Sequence, residues 1–268
     1  MTRIMGILNV TPDSFADGGR WMGVAAAVAR AERMLAEGAD IIDVGGESTR
    51  PGAAPVPEDE ELRRVLPVVE ALAHRCVVSV DTRKAAVARC CVDAGAQIIN
   101  DVAGLLWTVA ADHGVGWVVM HMQGQPQTMQ HRPAYDDVVG EVGGYLLERA
   151  REARAAGVPQ VWVDPGIGFG KNLDHNVELL RTLPGLAAHF PVLVGASRKS
   201  FIHQISPAPD PADRLPGSLV VAVHAVLGGV EILRVHDVAA TVQAIRVAQA
   251  LTPWPTGAGR RPTGSAGS

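Results

Sequence analysis

Eight short runs of mostly apolar residues recur along the chain at intervals that leave room for one helix between each pair. The runs are Ile4–Asn9, Asp40–Gly45, Cys76–Asp81, Gln97–Asp101, Gly116–His121, Gln160–Asp164, Pro191–Ala196 and Val230–Arg234. Amphipathic, Ala/Arg/Glu-rich stretches near 23–37, 58–74, 84–94, 104–113, 135–156, 173–183, 211–227 and 238–251 fill the gaps. Continuous apolar strands suit a sheet buried on both faces. Strands alternating with helices imply a parallel sheet. Eight such units in a 268-residue chain predict one α/β domain, a closed (β/α)8 TIM barrel, with an open doubly wound sheet as the structural alternative. Gly38, Gly95, Gly114 and Gly157 each follow an amphipathic run, where a left-handed residue ends a helix.

Composition narrows the class. Aromatic residues make up only 4% of a chain that is 47% hydrophobic, so the core is expected to be aliphatic. A net charge of −4 gives no footprint for nucleic acid. Cys76, Cys90 and Cys91 lack metal-site spacing and are expected to be reduced thiols. No stretch reads as a signal peptide or a membrane span, so a cytoplasmic protein is expected. The catalytic domain is expected to span 1–252, followed by a Gly/Pro/Ser-rich disordered tail over 253–268.

In such a barrel, chemistry gathers where the strands end. Here those ends carry Asn9, Asp43, Asp81, Asn100 and Asp101, Met120 and His121, Asp164, Ser197 to Ser200, and Arg234 to Asp237. Any single Asp or Asn there has an ordinary reading as a helix cap. A strand-end His is more often a hydrogen-bonded core residue than a ligand. Together the residues form two subsets. Asp81, Asn100 and Asp164 are rich in acceptors and suit the donor edge of a 2-amino-4-oxo-pyrimidine. Arg50, Arg234, His236 and Asn9 suit an anion near strands 8, 1 and 2. Lys199, one of three lysines with Lys84 and Lys171, lies between the subsets.

Gly166–Asn172 (GIGFGKN) fails as a phosphate loop, because Pro165 stands where the first glycine is required and Asn172 where Ser or Thr is. The chain has no HExxH motif and no Cys/His cluster. A Mg2+ arriving with a pyrophosphate group fits better than a tightly held structural metal.

Eight motifs in order resemble one family. They are Met5–Gly19 (MGILNVTPDSFADGG), Ile42–Gly52 (IDVGGESTRPG), Ser79–Thr82, Ile99–Asp101, Met120–Gly124, Asp164–Gly170 (DPGIGFG), Ser197–Ser200 (SRKS) and Arg234–Asp237 (RVHD). The sequence resembles the bacterial dihydropteroate synthases from about residue 3 to residue 250. That resemblance implies a TIM barrel, commonly dimeric. It also implies a transferase that condenses 6-hydroxymethyl-7,8-dihydropterin diphosphate with p-aminobenzoate to 7,8-dihydropteroate and pyrophosphate, in folate biosynthesis. By the same resemblance, Asp81, Asn100, Asp164 and Lys199 bind the pterin, beside Met120, Phe169 and Gly195. Asn9, Arg234 and His236 match the pyrophosphate and Mg2+ positions, with Asn9 the metal ligand. Loops carrying Phe15 and Asp17, and Thr49, Arg50 and Pro51, match two mobile loops that close over the site. Ser200, Pro51, Phe15 and Arg198 match the p-aminobenzoate surroundings, where sulfonamides compete. Lys199, Arg234, His236, Arg50 and Asp17 are the expected catalytic set. Two other readings remain: the pterin-binding domain of a corrinoid-dependent methyltransferase, and a non-catalytic paralogue that binds pterin.

Overall fold

A computed structural model of the protein describes residues 2–10, 19–47 and 55–251, with residues 19–22 by their backbone alone. Eight strands form one all-parallel sheet: β1 (Arg3–Asn9), β2 (Ile41–Gly45), β3 (Val77–Asp81), β4 (Ile98–Asp101), β5 (Gly116–Met120), β6 (Val161–Asp164), β7 (Leu193–Val194) and β8 (Ile232–Val235). Their order is β6-β5-β4-β3-β2-β1-β8-β7. The two ends of that order meet at a parallel bridge, Val163 to Val192, where Val163 N donates to Pro191 O at 2.9 Å. The sheet is therefore a barrel, and the open-sheet alternative is excluded.

The helices on the outside are α1 (Gly19–Ala36), α2 (Glu58–Leu72), α3 (Ala85–Asp93), α4 (Trp107–His113), α5 (Val138–Ala155), α6 (Leu173–Arg181), α7 (Leu183–Ala187), α8 (Ser200–Ile205), α9 (Leu215–Leu227) and α10 (Val238–Leu251). Local chemistry explains their limits. Asp137 caps α5 by accepting from Gly140 N, and Asn172 with His175 makes a reciprocal capping box on α6. The four expected helix-ending glycines have φ of 104, 106, 64 and 93°. None of the helices among the described residues is long and apolar enough to cross a membrane.

Three boundaries differ from the sequence expectation. The stretch 104–113 becomes helical only at Trp107, because the preceding loop wraps a carboxylate. Asp101 accepts from the backbone N–H groups of Ala103, Gly104, Leu105 and Leu106 at 2.6–3.0 Å, and from Trp117 Nε1 at 3.1 Å. The stretch 173–183 breaks at Thr182, and α7 restarts with Pro184 in its first turn. Helix α8 was not expected at all; six residues are too few to display a 3.6-residue period.

Two apolar clusters form the core. The larger lies between the sheet and the helices. The smaller, Met5, Ile41, Ile98, Val118, Trp162, Leu193 and Ile232, takes one residue from every strand except β3 and fills the barrel's interior. The core is aliphatic as expected, but Trp117 and Trp162 are buried within it. Trp162 Nε1 donates to Glu231 Oε1 at 3.0 Å, and the Arg3 guanidinium lies 5.1 Å from the Trp162 ring centre.

Candidate active site

The interior plug dictates where the site lies. Side chains two residues apart on a strand share a face. Two residues beyond Ile41, Ile98, Val118, Trp162, Leu193 and Ile232 stand Asp43, Asn100, Met120, Asp164, Gly195 and Arg234. All therefore point into the barrel mouth, one layer above the plug. On β3, Ser79 and Asp81 continue the pattern; Ser79 lies in register with Asp43.

Within this layer Arg234 is the hub. Its Nε donates to Asp43 Oδ2 and its Nη2 to Asp81 Oδ2, each at 2.6 Å. Asn100 Nδ2 donates to the same Asp43 oxygen at 3.1 Å. Burial opposes the charge on Arg234, but the two carboxylates outweigh it and raise its proton affinity. Burial pushes Asp81 up to about 7, against the pull of Arg234 and with help from Asp43, Glu61 and Glu47. Asp81 Oδ1 and Asp43 Oδ1 are buried without a hydrogen-bond partner. An acceptor left in that state is costly unless a ligand supplies the donor.

Asp164 receives Gly166 N on Oδ1 at 2.7 Å. Its carboxyl is raised by burial, against Lys199, that amide, Lys171 and Arg234. A side chain at Gly195 would meet Arg234 at 3.8 Å and Asp164 Oδ2 at 4.0 Å, so that glycine keeps the floor between them open. Lys199 reaches in from beyond β7. Its Nζ donates to Ile167 O and lies 4.5 Å from the centre of the Phe169 ring. Burial and Arg234 lower Lys199 to about 8, burial most, while Asp164 and Asp81 resist.

The two expected subsets are thus not separate. Arg234 sits among the acceptors, bound to Asp81, because it follows Ile232 on the inward face of β8. His236 lies one step further along; its Nδ1 is 3.1 Å from Ser197 Oγ. Asn9 is exposed at the end of β1, in register with Gly45. Arg198 adopts φ 60° and forks onto the Asp237 carboxylate, Nε to Oδ2 at 2.8 Å and Nη2 to Oδ1. Ser200 is the exposed first residue of α8. Met120 is buried and Phe169 half-buried. Phe15, Asp17, Thr49, Arg50 and Pro51 lie outside the described residues, as does the tail over 253–268.

Several contributors were not assigned from the sequence. Asp43 was seen only as a strand-end polar residue. Glu61, inside α2, is fully buried. Lys84 Nζ joins it to Glu47 and also donates to Val56 O at 2.7 Å, while Thr82 Oγ1 donates to Glu61 at 2.6 Å. Glu47 also faces Arg83 at 3.0 Å. Lys171 is buried against His121. The signal available was rarity: all three lysines of the chain make buried or half-buried polar contacts around this mouth.

Among the described residues no group of three or more His, Cys, Asp or Glu side chains is arranged to hold a metal. The nearest fit is one amide oxygen, Asn9, for a Mg2+ that keeps its waters and binds mainly to phosphate oxygens.

Residues 5–236 match a family described as pterin binding enzyme. The chain is 52% identical over 257 residues to the dihydropteroate synthase of Escherichia coli (strain K12), covering 92% of this chain and 90% of that one. The chain belongs to the dihydropteroate synthase family. The family's synthase from Synechocystis is 45% identical, over 93% of this chain and 90% of its own. Among solved structures, a Yersinia pestis dihydropteroate synthase with a sulfonamide drug is 49% identical, with TM-score 0.86 over 93% of this chain and 94% of that chain. A Xanthomonas albilineans synthase with 4-aminobenzoic acid is 48% identical, with TM-score 0.86 over 94% of each chain.

Proposed function

We propose that this chain joins the methylene carbon of 6-hydroxymethyl-7,8-dihydropterin diphosphate to the amine of p-aminobenzoate, giving 7,8-dihydropteroate and pyrophosphate. The observation that carries the reading is the buried Asp81 Oδ1, an acceptor without a partner, in one inward layer with Asn100 and Asp164. A pterin's ring N–H and amino group are the donors that layer lacks. A corrinoid-dependent methyltransferase domain would share the acceptors, but it has no use for the Ser197–Ser200 and Arg234–His236 groups beside them.

The aryl amine is neutral near pH 7, so its lone pair needs no strong base. The demanding step is breaking the bond between the methylene carbon and the diphosphate oxygen. We assign Asp81 and Asp164 to holding the ring and to favouring the positive charge that grows on it. That makes the substitution dissociative, with the diphosphate leaving before the amine attacks. Lys199, lying over Phe169, is placed to contact the ring and the departing oxygens. His236 and Arg234 add positive potential at the same rim, the kind of fixed electrostatic support that contributes most to such steps. Mg2+ would supply charge neutralisation of the diphosphate, with Asn9 as its protein ligand. The amine attacks from a preset position, which removes the entropic penalty of encounter.

Two further assignments go with this reading. Val220 and Leu227 on α9 and Val247 and Leu251 on α10 are large, exposed and apolar on packed neighbouring helices. They suit a homodimer interface. A sulfonamide, as an analogue of p-aminobenzoate, is expected to compete at the outer part of the site, and the protein is expected to act in the cytoplasm.

The test is pyrophosphate release from the pterin diphosphate, with and without p-aminobenzoate, and with and without chelator. Product formation only with both substrates, slowed by Mg2+ removal, is expected. Release with no dihydropteroate formed removes the transferase reading, and indifference to chelation removes the metal.

A further inference from the structure

The connection between β6 and α6 is held by its own backbone acceptors. Four consecutive carbonyls each receive a different side chain: Ile167 O from Lys199 Nζ, Gly168 O from Gln130 Nε2 at 2.6 Å, Phe169 O from Lys171 Nζ at 3.0 Å, and Gly170 O from Tyr135 Oη at 2.9 Å. Buried and half-buried loop carbonyls need a partner, and here each finds one in a side chain, which fixes the loop's shape.

Lys171 is the unusual donor. Only 2% of it is exposed, and its other partners are lone pairs, His121 Nδ1 at 3.0 Å and His121 O at 3.3 Å. A buried ammonium held by dipoles alone is unfavourable for the fold. The contact to His121 Nδ1 requires a neutral imidazole. Burial, with Lys171 beside it, lowers His121 to about 4, which keeps that ring neutral across the ordinary range. His121 directly follows β5, and its backbone N–H donates to Asp164 O at 3.0 Å. Lys171 therefore ties the β6–α6 loop to the strand next door, across the root of Asp164. At the other end of that tie, the Phe169 ring lies beneath Lys199 Nζ.

We propose that Lys171 is a positioning residue for the pterin pocket: it locks the β6–α6 loop to the end of β5, and so sets the Phe169 ring and the Lys199 amine against the bound ring. It touches no substrate itself. The proposal rests on the pterin reading above.

A purely structural role and this one differ in what they move. The charged groups facing Asp164 are Lys199, Lys171 and Arg234. Those facing Lys171 are Asp164 and Lys199, with neutral His121 in contact. Burial lowers Lys171 to about 7 against Asp164, so below pH 7 it is charged and opposes the rise that burial imposes on Asp164. Lys171→Met removes the tie and that charge together. Tyr135→Phe frees the neighbouring Gly170 carbonyl and changes no charge facing Asp164.

The experiment is steady-state kinetics of the full chain with the pterin diphosphate and p-aminobenzoate, from pH 5 to 9. For Lys171→Met, KM for the pterin diphosphate should rise about tenfold, as for one lost charged contact in a buried network, and kcat should fall less. Lys171 acts on Asp164 and not on Asp81, so the acid limb of kcat/KM should move to higher pH by the part that Asp164 contributes, on top of the fall set by Asp81. Tyr135→Phe should leave that limb where it is. If Lys171→Met does not fold, Lys171→Gln, which keeps an N–H for Phe169 O but no charge, must show the same limb shift. A folded Lys171 variant with unaltered KM and unaltered acid limb overturns the proposal, as does an equal shift in Tyr135→Phe. Turnover by the unaltered protein keeps these outcomes separate from failure of the pterin reading.

Discussion

Arg234 Nη2 lies 2.6 Å from Asp81 Oδ2 across the barrel mouth, so the strongest cation of the site is bound to one of its principal acceptors. The same guanidinium also holds fully buried Asp43. Arg234 therefore serves two ends: it neutralises two carboxylates that the fold buries, and it aims Asp81 so that Oδ1 is left for a ligand.

Replacing Arg234 with Met should harm both. Removing one preorganised donor lowers kcat by about 10²–10³. Leaving Asp43 and Asp81 without their cation should cost about 3–5 kcal/mol of stability, measured by urea unfolding. Adding Asp43→Asn to that variant should restore part of the stability and none of the activity. A single variant as stable as the parent would show that the two carboxylates are not held by this arginine.

Pterin binding should depend on pH through Asp81. Its carboxyl titrates at about 7 instead of 3.8. The ionised form is the better acceptor, so affinity should fall as pH drops through 7 and level off above it. Bound donors favour the carboxylate, so binding near pH 6 should release a proton. Calorimetry in two buffers of different ionisation enthalpy reads that proton directly. For the unliganded fold the sign is opposite. A raised carboxyl favours folding in acid, and that contribution is lost as pH rises from 3.8 to about 7.

Gly166 should tolerate no side chain. It has φ 65°, and a Cβ there would lie 1.9 Å from His121 O. Gly166→Ala should force the loop off β5, cost about 1–3 kcal/mol and raise the pterin KM. Gly114→Ala is the matched control, with φ 64° and nothing within 4 Å. It should show only the smaller backbone penalty and normal kinetics. Equal behaviour of the two variants would mean that the contact with β5 is unimportant.

Lys84→Met should destabilise the fold chiefly through Glu61, whose unpaired charge also raises Asp81 further. Glu61, with 1% of its side chain exposed, would lose its cation and keep only Thr82 as a donor. A loss of about 3–5 kcal/mol is expected from breaking such a pair on one side. Lys84→Met/Glu61→Gln should recover much of it. No recovery in the double variant would show that Lys84 acts through Glu47 or Val56 instead.

The site's membership was largely legible in the sequence, because a barrel sends the end of every strand to one mouth. Asp81, Asn100, Asp164, Lys199 and Arg234 could be picked out from strand ends alone. Their partners could not. Asp43 follows Ile41 by two residues, just as Arg234 follows Ile232, and that shared offset was readable. That the two side chains meet was not, since β1 separates β2 from β8 in the sheet and the two residues are 191 apart in the chain. Glu61 was hidden for another reason. It lies in the acidic first turn of α2, a position where solvent is the ordinary expectation.

The features legible in the chain alone are periodic and local: eight apolar strands, the helix caps, the left-handed glycines, and the alternation that puts a polar residue two places beyond Ile41, Ile98, Trp162 and Ile232. Those features depend on chain geometry over a few residues, which any reader of the sequence shares. Tertiary structure alone decided which charges are paired, which acceptors stay open and which lysine is buried. Closing the barrel sets those distances. In a low-dielectric mouth, a difference of an ångström or two between side chains from distant strands separates a neutralised carboxylate from one that waits for a ligand.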